Sequence, residues 1–124
     1  MRGAYCLVIR MDKDKDIRIG SLGNIHFPKG YYVYVGSAMN SLETRIARHL
    51  RTEKKKHWHI DYLLDEADVV DVLKIPSEKR IECDVAKFFA SYGRPIPRFG
   101  SSDCDCESHL FYFPKKPELE VVFE

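Results

Sequence analysis

Residues that can bind a phosphate and move protons follow one another between positions 31 and 49. The segment 31–36, YYVYVG, is rich in strand-forming residues and ends at a glycine, and Arg45 and His49 follow it four residues apart. A glycine at a strand end lets a ligand approach the backbone, and a helix N-terminus favours anions. An arginine one turn into such a helix can bind two oxygens of a phosphodiester. The pattern predicts a phosphate site between a strand and a helix, where a tyrosine beside the arginine could orient or deprotonate a water.

Hydrolysis of a phosphodiester usually also needs a divalent metal, and therefore a carboxylate that can bind it. Glu82, near the start of a predicted helix, is the candidate. The segment SSDCDCESH, which spans 101–109, would bring Asp103 or His109 close to this metal if the segment lies near Glu82.

The cysteines offer a second kind of metal site. Cys104, Cys106 and His109 form a C-x-C-x2-H motif, and with Cys83 they could make a tetrahedral zinc site. The spacing differs from the usual C-x2-C, so two other interpretations stay open. These are buried thiols and a disulfide between Cys83 and the 104–106 pair.

Composition fits one compact domain over residues 1–124, with 44% hydrophobic and 31% charged residues. The net charge of +1 gives no strong overall attraction to a polyanion, but the segment 45–57 is strongly basic and 61–71 is acidic. A local basic patch can hold phosphate on a nearly neutral protein.

No apolar run is long enough for a membrane span or a signal peptide, so we expect a cytoplasmic location and no membrane partner.

Apolar and polar residues alternate in segments that predict the elements around these sites. Strands are expected at 4–10, 17–20, 31–36, 68–76, 109–113 and 119–123, and helices at 40–50, 57–66 and 79–93. In the first strand Tyr5 should share a face with Leu7, and in the third Tyr32 should share a face with Tyr34. Helices grouped between strands indicate an α+β sheet covered by helices.

The first helix should begin at Asn40 as its N-cap, with Glu43 completing a capping box. Leu42, Ile46 and Leu50 form its apolar stripe. Arg45 and His49 lie beside that stripe, whereas Arg48 and Arg51 are expected to point toward solvent.

The basic segment after this helix has two interpretations. Lys54, Lys55 and Lys56 form either a solvated loop or a set of phosphate contacts that carry no sequence information. His57 and Asp61 are four apart and could flank a substrate groove, and Trp58 is expected in the core, with stacking on a base as the alternative.

Three motifs together resemble the GIY-YIG nuclease superfamily. GAY (3–5) and YVG (34–36) look like its two signature tripeptides, and YVGSAMNSLETRIARHL (34–50) and ECDVAKFF (82–89) look like two of its conserved stretches. More narrowly, the chain is similar to an uncharacterised GIY-YIG-like family of archaea and bacteria that is sometimes fused to an endonuclease III-type repair enzyme. Here the two tripeptides are 28 residues apart, which requires an extra strand and turn between them.

The resemblance implies a small, mostly antiparallel sheet flanked by about three helices, and an endonuclease that cleaves DNA, with DNA repair as its setting. Tyr5 and Tyr34 would position or deprotonate the water, Arg45 would hold the phosphate, and His49 would handle protons or bind phosphate. Glu82 would ligate one Mg²⁺ or Mn²⁺. The residues expected to contact nucleic acid are Gly36, Ser37, Arg48, Arg51, Lys54, Lys55, Lys56 and His57.

Two further functions are compatible with the same residues. One is a nucleic-acid-binding module whose nuclease site has lost activity. The other is a metal-stabilised interaction domain that partners a base-excision repair enzyme. Fold alone does not separate these functions from a nuclease.

Overall fold

The computed structural model describes residues 1–101 and 104–118, so Asp103 and the predicted strand 119–123 lie outside the described residues. The strands are β1 (Gly3–Met11), β2 (Lys15–Arg18), β3 (Asn24–Phe27), β4 (Gly30–Ala38), β5 (Asp68–Pro76), β6 (Arg94–Pro95) and β7 (Leu110–Phe113). The helices are α1 (Leu42–Leu50), α2 (His59–Leu64) and α3 (Glu82–Ala90). The predicted fold class is confirmed: the described part is an α+β structure with antiparallel strand pairs and three helices.

Five strands form the main sheet in the order β5-β1-β4-β7-β6, so β1 and β4 lie at its centre. Both central strands are buried along almost their whole length. The alternation expected in β1 and β4 is confirmed, because Tyr5, Leu7, Tyr32 and Tyr34 belong to one buried cluster. Cys6, Val8, Val33 and Val35 belong to a second cluster on the opposite side of the sheet. We call these two sides the tyrosine face and the valine face.

The helices cover the two faces unequally. Apolar residues of α1, α2 and the β2–β3 hairpin pack on the tyrosine face. Val85, Ala86 and Phe89 of α3 pack on the valine face. A side chain of this kind contributes about 1.5–3 kcal/mol when fully buried. Each face of the sheet therefore has its own core.

The 28 residues between the two tripeptides hold more structure than the sequence predicted. They contain the small antiparallel sheet of β2 and β3, with a 3₁₀ turn at Gly20–Leu22 between the strands. The strand predicted at 17–20 was displaced along the chain, since β2 begins at Lys15 and stops at Arg18. The strand β3 was missed, because its four residues lie directly beside the turn signal at 27–30.

The N-cap of α1 is Ser41 and not Asn40. Ser41 has an extended backbone, and its hydroxyl accepts a hydrogen bond from the Thr44 backbone N–H at 3.1 Å. That geometry is the usual one for an N-cap serine. Leu50 was also placed wrongly, since it is 53% exposed whereas His49 is buried. At 3.6 residues per turn, position 50 is rotated by about 80° from Leu42 and position 49 by only about 20°.

The pairing of β1 with β4 brings the two tripeptides together. Tyr5 lies opposite Gly36, and Leu7 lies opposite Tyr34. The Tyr5 ring lies directly over Gly36, so that a methyl group at position 36 would overlap the Tyr5 Cζ and hydroxyl. Glycine is therefore required here by close packing, since the position needs no unusual backbone angle.

We expect Gly36→Ala to lower the free energy of unfolding by about 1–3 kcal/mol, because it overpacks a rigid part of the sheet. Urea unfolding of Gly36→Ala, Tyr5→Ala and the double variant would measure the coupling between the two positions. Most of the loss in Gly36→Ala should disappear in the Tyr5→Ala background. Equal losses in both backgrounds would show that the Tyr5 ring is not the obstacle.

Within residues 1–101 and 104–118, none of the helices has the length and apolar character that crossing a membrane requires.

Candidate functional site

A cleft of about 520 Å³ lies where the ends of β1 and β4 meet the helices. Four of the residues predicted to be catalytic line it, each from a different element: β1, β4, α1 and α3. The lining residues are Tyr5, Tyr34, Gly36, Ser37, Arg45, Trp58, Arg80, Glu82, Cys83, Gly100, Cys104 and His109. The structure thus brings together the tyrosines, the arginine and the glutamate, along with part of the cysteine motif.

Tyr5 and His49 form a buried pair at the base of the cleft. The Tyr5 hydroxyl lies 2.6 Å from His49 Nε2, and the two side chains are 1% and 2% exposed. His49 itself does not line the cleft, and its hydrogen bond to Tyr5 connects it to the cleft wall. Its second ring nitrogen, Nδ1, has no hydrogen-bond partner among the described residues.

Burial keeps this pair neutral. Burial raises the pKa of Tyr5, and the nearby Arg45 guanidinium opposes that shift without cancelling it. Burial lowers the pKa of His49 to about 4, against the opposing attraction of Asp61. At neutral pH both groups are uncharged, and a single 2.6 Å hydrogen bond joins the Tyr5 hydroxyl to His49 Nε2.

Tyr34 lies beside Tyr5, with its ring centre 6.4 Å from the Tyr5 ring and 6.1 Å from the His49 ring. Burial raises its pKa well above the usual value, and the neighbouring Tyr5 and Glu82 add to the effect. Tyr34 is therefore a neutral hydrogen-bonding group in the cleft wall.

Arg45 is fixed in place by two contacts. Its Nη1 donates a hydrogen bond to the Ser37 carbonyl oxygen at 3.1 Å, and its guanidinium carbon lies 4.5 Å from the centre of the Trp58 ring. Arg48 lies 4.4 Å from the same ring, so both arginines contact Trp58. Arg45 also lines a second groove, of about 650 Å³, which runs along α1 past Arg51. It therefore stands between the cleft and this groove.

Arg48 does not point into solvent as predicted. It forms a two-pronged ion pair with the buried Asp61, with distances of 2.9 and 3.1 Å. Burial alone would raise the pKa of Asp61, but hydrogen bonds from Arg48 and from the Trp58 and His57 backbone outweigh it and lower the pKa. Asp61 thus holds the start of α2 against α1, and it does not flank a groove with His57.

The basic segment divides between structural and exposed side chains. Lys54 donates to the carbonyl oxygens of His49 and Arg51 at the end of α1. Lys56 pairs with Asp65 at 2.7 Å. Lys55 and His57 are exposed. Contact of these residues with nucleic acid stays a prediction.

Glu82 begins α3 and faces two basic side chains. Its Oε2 lies 3.7 Å from His109 Nδ1, and its Oε1 lies 4.0 Å from Arg80 Nη1. The Arg80 side chain is 70% exposed, so it is free to move away from Glu82. The Glu82 carboxylate therefore lies between the mouth of the cleft and the cysteine motif.

The cysteine motif and Cys83 converge on one point. The Sγ atoms of Cys83, Cys104 and Cys106 and a ring nitrogen of His109 all lie within 4.8 Å of one another. His109 Nε2 is 3.4 Å from Cys104 Sγ and 4.0 Å from Cys83 Sγ. A tetrahedral ion with bonds of about 2.3 Å needs ligand atoms about 3.8 Å apart. The four residues could therefore hold a single metal ion.

The other two interpretations of the cysteines are less consistent with this geometry. All four cysteines are free thiols, so the Cys83 disulfide is not formed. Cys83, Cys104 and Cys106 are only partly buried, whereas Cys6 is fully buried in the valine face. Burial raises the pKa of Cys83 to about 12, and contacts with the other two thiols add to the rise.

Two residues of the cleft, Arg80 and Gly100, were not singled out from the sequence. Arg80 lies two positions before Glu82. The sequence indicated its role only through this position, just before the helix that supplies Glu82. Trp58 was expected in the core, with base stacking as the alternative. It packs against the core of the tyrosine face, and its ring also contacts Arg45 and Arg48 at the wall of the cleft.

The buried His49 should make stability depend on pH. The unfolded chain protonates His49 near the usual pKa of 6.5, but the folded chain does so only near pH 4. The unfolded state therefore holds more protons between these values, and stability is lost as the pH falls through this window. The loss is about 3 kcal/mol, because one pKa unit corresponds to about 1.4 kcal/mol.

Urea unfolding at neutral pH and near pH 4 tests this expectation in wild-type protein and His49→Gln. The pH dependence should shrink in His49→Gln. An unchanged dependence in His49→Gln would contradict a neutral, buried His49.

Comparison with known proteins gives one family match. No curated protein and no solved structure matches the chain. The GIY-YIG resemblance accordingly stays a prediction. A family model described as domain of unknown function DUF123 matches residues 4–124 of the 124-residue chain. The chain therefore belongs to the DUF123 family.

Proposed function

We propose that this protein is a metal-dependent phosphodiester hydrolase that cleaves DNA, with the cleft as its active site. The observation that carries the proposal is the meeting of Tyr5, Tyr34, Arg45 and Glu82 in one cleft from four separate elements. Such a set supplies a phosphate ligand, a proton path and a carboxylate for a metal. These are the parts that metal-assisted phosphodiester cleavage requires.

Arg45 is the proposed phosphate ligand. A guanidinium carries five N–H donors, so its hydrogen bond to the Ser37 carbonyl leaves others for phosphate oxygens. The Trp58 ring at 4.5 Å fixes the plane of the guanidinium, which reduces the entropy lost when a phosphate binds. Arg45 would hold the scissile phosphate while the groove along α1 takes the neighbouring part of the strand.

Tyr5 and His49 are the proposed proton path. The attacking water would give a proton to the Tyr5 oxygen as Tyr5 passes its own proton to His49 Nε2 across 2.6 Å. This path uses the His49 tautomer that carries its proton on Nδ1. Tyr34 would orient the water from the opposite wall of the cleft.

Glu82 suits one Mg²⁺ or Mn²⁺, because Mg²⁺ at phosphoryl sites is usually held by one or two carboxylates together with substrate oxygens. When bound, this ion would stabilise charge on the leaving oxygen. The cluster of Cys83, Cys104, Cys106 and His109 suits Zn²⁺, since thiolates and imidazole favour zinc over Mg²⁺. Four protein ligands leave no open position, so zinc would have a structural role.

A second candidate is a metal-stabilised module that binds nucleic acid without cutting it and partners a base-excision repair enzyme. The contact between Glu82 and His109 favours it, because that contact draws the carboxylate toward the cysteine motif. For either function we propose a cytoplasmic location, where thiols stay reduced and able to bind metal.

A cleavage assay separates the two candidates. Zinc-loaded protein would be incubated with single-stranded, duplex, flap and four-way-junction DNA and Mg²⁺ or Mn²⁺, alongside Glu82→Ala. Asp84→Ala, an exposed acid in the same helical turn, is the matched control. We expect cleavage that requires the divalent metal, persists in Asp84→Ala and is lost in Glu82→Ala.

Cleavage that survives in Glu82→Ala would contradict the proposed metal site. Salt-sensitive binding without cleavage of any substrate would favour the second candidate.

A further inference from the structure

We propose that Glu82 also supports the zinc site, through His109, so that one carboxylate joins the zinc site to the active-site cleft. The effect of Glu82 on zinc binding depends only on the metal cluster, whereas the effect of zinc on catalysis rests on the proposed function. The inference assigns Glu82 a positioning role in addition to the Mg²⁺ or Mn²⁺ binding proposed above.

The two ring nitrogens of His109 face different partners. Nε2 faces the thiols of Cys104 and Cys83 at 3.4 and 4.0 Å, and Nδ1 faces Glu82 Oε2 at 3.7 Å. A metal on Nε2 confines the ring proton to Nδ1, which then donates to the carboxylate. A carboxylate behind a zinc-binding histidine fixes the orientation of the ring and increases its basicity. Zinc binding would thus convert the loose 3.7 Å contact into a defined hydrogen bond.

The chain also couples the two sites directly. Glu82 and Cys83 are consecutive residues in the first turn of α3, so any shift of one backbone position moves the other. Oε2 faces His109, and Oε1 lies 4.0 Å from Nη1 of the exposed Arg80 at the mouth of the cleft. Zinc binding would then set the position of Oε1, the carboxylate oxygen proposed to bind the divalent ion.

Zinc affinity tests the link without any nuclease assay. A chromophoric chelator would compete for zinc with wild-type protein, Glu82→Gln and Asp84→Asn. Loss of such an outer partner usually weakens metal binding by about 10- to 100-fold, so we expect that loss in Glu82→Gln. Asp84→Asn removes the same charge from the same turn at an exposed position and should bind zinc as wild type does. Equal zinc affinity in all three proteins would overturn the inference.

A second variant separates positioning from simple stabilisation. His109→Cys keeps four zinc ligands but removes the ring that holds Glu82. We expect His109→Cys to bind one zinc ion. Its affinity for Mn²⁺ should fall about tenfold, the size expected for loss of an outer-shell partner. Electron paramagnetic resonance in the absence of DNA would measure that affinity. Wild-type Mn²⁺ affinity in zinc-loaded His109→Cys would overturn the positioning role.

Failure of this inference is distinct from failure of the proposed function. If Glu82→Gln weakens zinc binding but the wild-type protein cuts no DNA, the zinc link is supported and the nuclease function is not. If the wild-type protein cuts DNA and Glu82→Gln binds zinc normally, the nuclease function stands and the link is overturned.

Discussion

Arg45→Ala is expected to lower the rate of DNA cleavage by about 10²- to 10³-fold, the usual effect of removing one donor that stabilises transition-state charge. Arg45 lines the cleft, contacts the Ser37 carbonyl and stacks on Trp58, so its guanidinium is already in place before a phosphate arrives. Such a group should act on the transition state more than on overall affinity, since other basic side chains are also expected to contact the DNA. The single-turnover cleavage rate and the DNA affinity would be measured separately.

Two comparisons sharpen this test. Arg45→Lys keeps the charge but loses the planar fork that binds two oxygens, so we expect it to recover only part of the rate. Arg18→Ala removes an exposed arginine from the β2–β3 hairpin, away from the residues that line the cleft, and should cut at the wild-type rate. A wild-type rate in Arg45→Ala would rule out the proposed phosphate site.

Cys104→Ser is expected to lose the proposed zinc ion and to lower the Tm by roughly 15 °C. A ligand present at a thousand times its Kd stabilises the folded state by about 4 kcal/mol. A chain of this size shifts by roughly 4 °C for each kcal/mol. The loss should be large because the cluster ties the start of α3 to the segment before β7.

Zinc content by mass spectrometry and Tm by calorimetry would be measured for Cys104→Ser and for Cys6→Ala. Cys6 lies in the core of the valine face, outside the cluster, so Cys6→Ala should keep one zinc ion even if packing suffers. Removing zinc with a chelator should lower the Tm of the wild-type protein and leave Cys104→Ser unchanged. A Tm that does not respond to chelator in the wild-type protein would contradict a structural zinc site.

Local patterns predicted the parts of the fold that depend on local rules. The alternation in YYVYVG placed Tyr32 and Tyr34 on one face of β4, because side chains of a strand alternate whatever the strand packs against. Pro76 was correctly expected to end β5. The resemblance of GAY and YVG to two signature motifs implied that Tyr5 and Tyr34 serve one site, and both residues line the cleft.

Features that depend on distant contacts could not be predicted in this way. Arg48 looked like a solvent-facing residue on the helical wheel, but α2 brings the buried Asp61 against it. An ion pair between two helices leaves no periodic signal in either one. His109 was expected near Glu82 only on the condition that the segment 101–109 lies beside α3, and tertiary contacts decide that condition.

The most direct test of the proposed mechanism is the single-turnover cleavage rate of Tyr5→Phe in zinc-loaded protein. This change keeps the ring that packs over Gly36 and removes only the hydroxyl that meets His49. If Tyr5 relays the proton from the attacking water, the rate should fall by about 10²- to 10⁴-fold while DNA affinity and zinc content stay at wild-type values. A wild-type cleavage rate in Tyr5→Phe would show that the Tyr5–His49 pair only supports the sheet, and that the cleft does not act by this chemistry.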